Sequence, residues 1–475
     1  MKRFSVRIQL FTLLLFALLG ACLADPSGAL DDQASSRVVN TIPPATLTAI
    51  SEQEGDSQTP VPDPLGIPWS DLEGMELDFW YIWDLDEPGE GMNAIVERFN
   101  RENEWGITVN AVDQGLVLDP IAAVEAAFAD GLVPHLMVSD SAAVASWYDQ
   151  GLLLDLSPLI EDPAAGLSPE EIRAFYPGLY DNFILPGQER PGLPFTQSIQ
   201  VIYYNQSWAE ELGFNFQPLD EKDFVEQTCG VAAEEKPGLI FSPQGANILS
   251  FLYAFQGQLM VKEGYDFISP ELISVAEHWR ELHQQSCGAL IADYPNPMAV
   301  EREFEQFNSR GALMVMGPAL MLEHIHTGAN RTGRADQWLM LPFFGPQGNK
   351  AVAAELQSGI IFQTSPEEEL ASWLFLKFLL SPEVQAEWVQ YSHYYPTRKD
   401  TLWFLREFRQ ENPRWGQGLD LLKYARPVPL DPDWNTVQMA LEDAFEQILA
   451  EPELALEDVL DALDQVAEEL QEFTE

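Results

Sequence analysis

Trp83 and Asp84 end a β-rich apolar run, MELDFWYIW, from Met75 to Trp83. Ligands of open α/β sheets sit outside the carboxyl ends of strands. An aromatic ring beside a carboxylate there suits a sugar: the ring stacks on C–H faces while the acid accepts hydroxyl hydrogens. A core tryptophan is the competing reading of Trp83. Other reactive groupings resolve into ordinary structure. Asp431, Asp433, Asn435 and Glu442 match acidic positions of a calcium-binding EF loop over its twelve-residue span. Thr436 stands where that loop needs its turn glycine, and helical period begins at Val437, so the segment reads as a helix start. His324 and His326, beside Glu323, alternate on a helix and do not face one another, which makes them surface histidines. The chain has no P-loop, GxSxG or HExxH motif. Its 75 acidic residues are too many for any pair to stand out as a glycosidase dyad. No catalytic residue, no metal ligand and no cofactor is assigned.

The N-terminus gives an address. Lys2, Arg3 and Arg7 precede an apolar run from Leu10 to Ala21. That run is too short for an ordinary membrane span and suits a secretory signal. Leu19-Gly20-Ala21-Cys22 resembles the lipobox of bacterial lipoproteins, in which the signal is cut before the cysteine and the thiol carries diacylglycerol. The competing reading is a plain signal peptide with a chance cysteine. Residues 1–21 are therefore expected to be a lipoprotein signal peptide and Cys22 the lipidation site. Residues 22–74 read as anchor and disordered tether: after Cys22 they hold seven prolines, nine acids and one aromatic, Trp69. Such a stretch cannot offset its ordering entropy by burial. Two cysteines remain, Cys229 and Cys287. Exported thiols tend to oxidise, so the reading taken is a disulfide, over two separate buried thiols.

The 475 residues suffice for two or three domains, and 46% hydrophobic residues supply sizeable cores. A formal net charge of −50 repels nucleic-acid phosphates and argues against docking on anionic lipid through a basic surface. After the first strand, a helix over 91–103 leads to a strand at Gly106–Val112. Leu136–Val138 is a third strand, followed by a helix through Trp147. Val201–Tyr204, Gly311–Met316 and Ile360–Phe362 read as further strands, with a helix from about Pro366 to Leu380. Two helical stripes end the chain, one with Val437, Leu441, Ala444, Phe445, Ile448 and Leu449, the other with Leu456, Val459, Leu460, Leu463, Val466 and Leu470. Alternating strands and helices imply parallel βαβ units, hence an α/β protein of more than one domain.

Four stretches in order carry a resemblance over nearly all of residues 75–470. They are Gly131 to Leu156; Gly192-Leu193-Pro194-Phe195 into Ile202-Tyr203-Tyr204-Asn205; Phe304 to Gly317-Pro318; and Leu341-Pro342 through Ser358-Gly359 to Tyr395-Pro396-Thr397-Arg398. Together they resemble the family 1 extracellular solute-binding proteins of ABC importers, of the sugar-binding lipoprotein type. The resemblance implies a two-lobed periplasmic-binding-protein-like α/β fold with a hinge and an interlobe ligand cleft. Chain crossings are expected near Thr196, Pro342 and Tyr394. Lobe one would be 75–195 plus 342–393, and lobe two 196–341 plus 394–475.

The same resemblance implies ligand contacts at Ser139, Asp140 and Ser141 after the third strand, with capping of the next helix the alternative for Asp140. It implies Ser198 at the first crossing and Ser358 in a loop before a strand. Tyr394 and Tyr395 would lie at the third crossing, where hinge packing competes, and Trp434 would be a stacking aromatic. Pro134-His135 and Gly317-Pro318-Ala319 depart from the family pattern, the latter lacking a tryptophan platform that long maltodextrins use. The function implied is a lipid-anchored binding protein, a monomer performing no covalent chemistry. It captures a neutral solute, a mono- or oligosaccharide, and delivers it to ABC permease subunits from the outer face of the cell membrane or the periplasm. The membrane is met through the N-terminal lipid only, and nucleic acid is no partner. Two alternatives are a secreted carbohydrate-active enzyme and a surface receptor for a sugar or polyamine that feeds a sensor.

Overall fold

The computed structural model describes residues 63–83, 87–114, 120–129, 131–185, 187–231, 235–261, 264–290, 299–322, 325, 333–334, 336–451 and 453–474. The signal and lipobox segment, Asp84, Glu323, His324 and His326 lie outside the described residues. Fourteen strands follow in chain order: β1 Glu76–Tyr81, β2 Thr108–Asp113, β3 Leu136–Asp140, β4 Leu193–Asn205, β5 Leu239–Phe241, β6 Met260–Val261, β7 Gly264–Tyr265, β8 Gly288–Leu290, β9 Met314–Pro318, β10 Trp338–Leu341, β11 Phe343–Phe344, β12 Lys350–Ile361, β13 Tyr395–Pro396 and β14 Ala425–Pro427. Among the described residues one sheet runs β2-β1-β3-β12-β4-β9-β5-β8, and β6 pairs β7 separately.

The sheet has two parallel ends and an antiparallel middle. β1 runs parallel to β2 and β3 at one end, and β5 runs parallel to β8 and β9 at the other. Long β12 and β4 lie between them, antiparallel to β3, to each other and to β9. Every residue of β4 is buried. Asp140, at the carboxyl end of β3, pairs Gln357, which pairs Thr196. Pro318, at the carboxyl end of β9, pairs Gln200. The carboxyl ends of both parallel halves thus converge on residues 196–200 of β4, where open α/β sheets bind ligands.

Helices cover the sheet as their apolar spacing dictates. Glu87–Glu102 buries Ile95, Val96 and Phe99. Pro366–Leu379 starts in a capping box: Ser365 accepts from the Glu368 N–H, and the Glu368 carboxylate accepts from the Ser365 N–H. The helix Trp434–Ala450 buries the stripe from Val437 to Leu449 that its sequence period requires.

The ordered body begins earlier than the tether reading allows. Ile67 and Leu72 are buried, Trp69 stacks on Trp105 at 6.1 Å, and the Leu65 N–H donates to Asp162 at 2.9 Å. Three apolar side chains in this short span find an existing core, which offsets the ordering entropy that the polar residues before them cannot. The Cys229–Cys287 disulfide is formed, with Cα atoms 4.4 Å apart.

Candidate functional site

Residues directly opposite in paired strands project to one face of a sheet, and alternate residues share it. Ser198 pairs Glu355, Thr196 pairs Gln357, and Gln357 pairs Asp140. Gln200 lies two residues beyond Ser198. One face of three central strands therefore carries Asp140, Thr196, Ser198, Gln200, Glu355 and Gln357, with the small Ala353 opposite Gln200 at its end. Their near neighbours on the other face are Ser139, Gln197, Leu356 and Ser358. Polar side chains so deep in a sheet are costly unless they bind something.

Glu355 is the centre of that face. The Gln200 amide donates to its carboxyl at 2.6 Å. Burial pushes the carboxyl above its ordinary range, the Gln200 bond offsets part of the shift, and Glu442 and Asp140 add to it. Glu442, on the helix Trp434–Ala450, accepts from the Gly245 N–H at 2.8 Å and from Gln438 at 2.9 Å, and burial raises it too. The Ser198 hydroxyl, Gln200 Oε1 and Gln357 Oε1 are buried without a hydrogen-bond partner. They are unspent polar atoms.

The expected residues distribute unevenly about this face. Asp140 lies on it and also caps the helix Ser141–Asp149, accepting from the Ala143 N–H at 2.9 Å. Ser141 is the first residue of that helix. Ser198 lies on the face. Ser139 and Ser358 are register partners on the opposite side, and both hydroxyls are buried without a partner. Ser358 is inside β12 and not in a loop: pairing with β3 runs unbroken through it, while pairing with β4 shifts register by one residue between Gln357 and Ser358.

Trp83 is 7% exposed, with its ring 4.4 Å from Trp388 and 6.1 Å from both Phe195 and Tyr394, a packing environment. Tyr394 is half-buried; burial raises its phenol pKa, and the charge of Glu355 adds to the shift. Tyr395 is buried, stacked on Trp415 at 5.4 Å and paired in β13 with Gln197, which fits the hinge-packing alternative. Trp434 is 3% exposed at the first turn of its helix and joins the apolar core there.

The calcium-like acids are employed in the fold. Asp431 accepts from the Tyr265 hydroxyl at 2.8 Å, while Glu442 takes the Gly245 N–H. Among the described residues no three His, Cys, Asp or Glu side chains come together to hold a metal.

Gln200, Glu355 and Gln357 are members of the polar face that the motif reading passes over. Their signal is present: Glu355 and Gln357 alternate with Ala354, Leu356 and Ser358, the period of a strand with one polar face.

A family model described as bacterial extracellular solute-binding protein matches residues 94–402. No curated protein matches the chain. Among solved structures, the cyclic α-maltosyl-1,6-maltose binding protein from Arthrobacter globiformis is 18% identical with a TM-score of 0.71, over 83% of this chain and 98% of that one. The sugar-binding protein MalE from Xanthomonas citri is 17% identical with a TM-score of 0.70, over 83% and 97%. UgpB from Mycobacterium tuberculosis, in complex with glycerophosphocholine, is 17% identical with a TM-score of 0.66, over 84% and 98%. These likenesses show the two-lobed α/β fold.

Proposed function

This chain belongs to the bacterial extracellular solute-binding protein family, and from that premise we propose that it is a lipid-anchored receptor that captures a mono- or oligosaccharide between two lobes and delivers it to an ABC permease. The observation that carries this reading is the polar face of β3, β12 and β4, set where the carboxyl ends of both parallel halves meet. Sugar hydroxyls both donate and accept, as do the side chains waiting there. The solute lies against Asp140, Ser198, Gln200, Glu355 and Gln357, with Tyr394 at the edge; Ser139 and Ser358 support the strands from behind. We set the second crossing inside β12 and not near Pro342, because the first half of β12 pairs β14; lobe one is then 63–196 with 357–393, lobe two 197–356 with 394–475, and β4, β12 and β13 form the hinge. Closure about the solute is the state that a permease would engage.

Among the described residues no helix is long and apolar enough to cross a membrane, and attachment is assigned to diacylglycerol on Cys22. A Cys22→Ser chain is expected to remain unprocessed at the lipobox and to take up no labelled fatty acid in cells. Lipid on that variant would remove the anchoring assignment.

The solute reading is tested by a thermal-shift screen of the purified protein against mono- and oligosaccharides. A ligand that binds only the folded state adds about 2.7 kcal/mol at 100-fold above Kd. A stabilising sugar should be recovered unchanged after prolonged incubation. Cleaved product would favour the carbohydrate-active enzyme, and a screen in which no sugar stabilises the protein would sink the sugar reading.

A further inference from the structure

We propose that the captured solute carries a protonated amino group and that Glu355 is its counter-ion. The proposal rests on the solute-binding reading of the polar face and names the chemistry that the face selects. Glu355 stands on the strand that crosses between the halves of the sheet, opposite Ser198. A single side-chain hydrogen bond meets it, from Gln200 at 2.6 Å. The charged groups that bear on it, Glu442 and Asp140, are both acids. A partly buried carboxylate under the field of two other acids lacks what normally offsets its desolvation, a cation with good hydrogen-bond geometry. Among the described residues no Lys, Arg or His pairs with Glu355, and that role is given to the ligand.

The unspent atoms of the same face have the complementary chemistry. Ser198 and Gln200 are 5% and 2% exposed, and the Ser198 hydroxyl and Gln200 Oε1 make no hydrogen bond. Because the Gln200 amide nitrogen is committed to Glu355, its oxygen is the atom left over. Gln357 Oε1, two residues along β12 from Glu355, is likewise unpartnered. The two amide oxygens can only accept, and the Ser198 hydroxyl can accept as well as donate, so the face has room for donors. An ammonium has three N–H donors and no lone pair, and charge-assisted bonds to a carboxylate are roughly twice as strong as neutral ones. A neutral hydroxyl brings one donor and leaves the charge of Glu355 uncompensated. On the sugar reading the solute is an amino sugar; a linear polyamine offers the same ammonium without the ring. The expectation of a neutral solute narrows accordingly.

The test titrates the full-length protein, by calorimetry and thermal shift at 0.15 M salt, with matched probes. These are glucosamine and its short β-linked oligomers, their N-acetylated counterparts, glucose and maltose, and the polyamines putrescine and spermidine. An amine-bearing probe is expected to bind at least tenfold more tightly than its acetylated or neutral match. Glu355→Gln should abolish that preference. In the empty protein the same isosteric change should leave the melting temperature unchanged or raised, because it removes a partly buried acid that has no counter-charge among the described residues. A Glu355→Gln protein that melts lower than wild type without ligand would mean that the carboxyl holds the fold, and would overturn the proposal. Neutral sugars bound as well as amines, with no change on Glu355→Gln, overturn it while leaving the sugar reading intact. Polyamines bound without any sugar, amino sugars included, keep the counter-ion and overturn the sugar reading. If none of the amines binds, the counter-ion role falls.

Discussion

Reducing the Cys229–Cys287 bond is expected to lower the unfolding free energy by about 4 kcal/mol, the loop-closure entropy for a 58-residue separation. Domains have only about 5–15 kcal/mol in all, so the loss is large. The bond ties the end of the helix Glu221–Gly230 to the residue that precedes β8, the edge strand of the sheet. Cys287 also accepts backbone N–H bonds from Gly238 at 2.7 Å and Leu239 at 3.1 Å, so the tie holds the start of β5 as well. Urea unfolding with and without a phosphine reductant measures the effect, and the Cys229→Ser/Cys287→Ser protein should behave as the reduced one does. A loss under 1 kcal/mol would show that the unfolded chain gains little freedom from opening the loop. Solute affinity should survive reduction under conditions where the fold persists. The cysteines sit at the amino ends of β5 and β8, whereas the polar face meets the carboxyl end of β9.

The two strands that build the site show what a sequence discloses and what it withholds. Val201–Tyr204 reads as a strand because four β-formers stand together. The eight residues before it belong to the same strand, yet Pro194, Thr196, Gln197, Ser198 and Gln200 interrupt the apolar run. Thr196, Ser198 and Gln200 are polar and lie on the proposed binding face, so the proposed function accounts for the masked strand signal there. β12 behaves alike: Ile360–Phe362 announces itself as an apolar run, while the stretch from Lys350 carries only the weaker alternation around Glu355 and Gln357.

Local period fares better wherever one face is simply buried, as in the helices Glu87–Glu102 and Trp434–Ala450. Register is the part least available to a linear reading. Gln200 meets Glu355 across 155 residues, and Ser139 meets Ser358 through a pairing that no spacing encodes. Family likeness points to Ser198 and Asp140 without naming the carboxylate between them. Trp83 and Trp434, chosen as aromatics near strand or helix ends, occupy packed positions in which their size serves the cores.

Stability should fall as pH rises from about 5 to about 9, by about 4 kcal/mol through Glu303 alone. This residue lies on the helix Ala299–Asn308, 0% exposed, and neither carboxyl oxygen has a hydrogen-bond partner. Burial pushes its pKa up to about 8, and the nearby Ser242 side chain, short of a formed hydrogen bond, acts in the opposite direction. The sign follows from proton counting. Below the ordinary glutamate pKa both folded and unfolded chains hold the proton, and the site costs nothing. Between that value and about 8 the unfolded chain releases its proton while the folded chain retains it, so each step up in pH favours unfolding. Above about 8 both have released it and the loss levels off.

Glu355 and Glu442 are also raised by burial and contribute with the same sign. The wild-type slope therefore mixes several acids, and the difference from one isosteric variant isolates Glu303. Glu303→Gln should match wild type within about 1 kcal/mol at pH 5, since a neutral amide then replaces a neutral acid of the same shape. At pH 9 it should be the more stable protein by about 4 kcal/mol. Urea unfolding of both proteins at the two pH values gives the four numbers needed. Parallel pH profiles for wild type and Glu303→Gln would mean that the carboxylate has a partner or water at high pH, and the buried-acid assignment would fall.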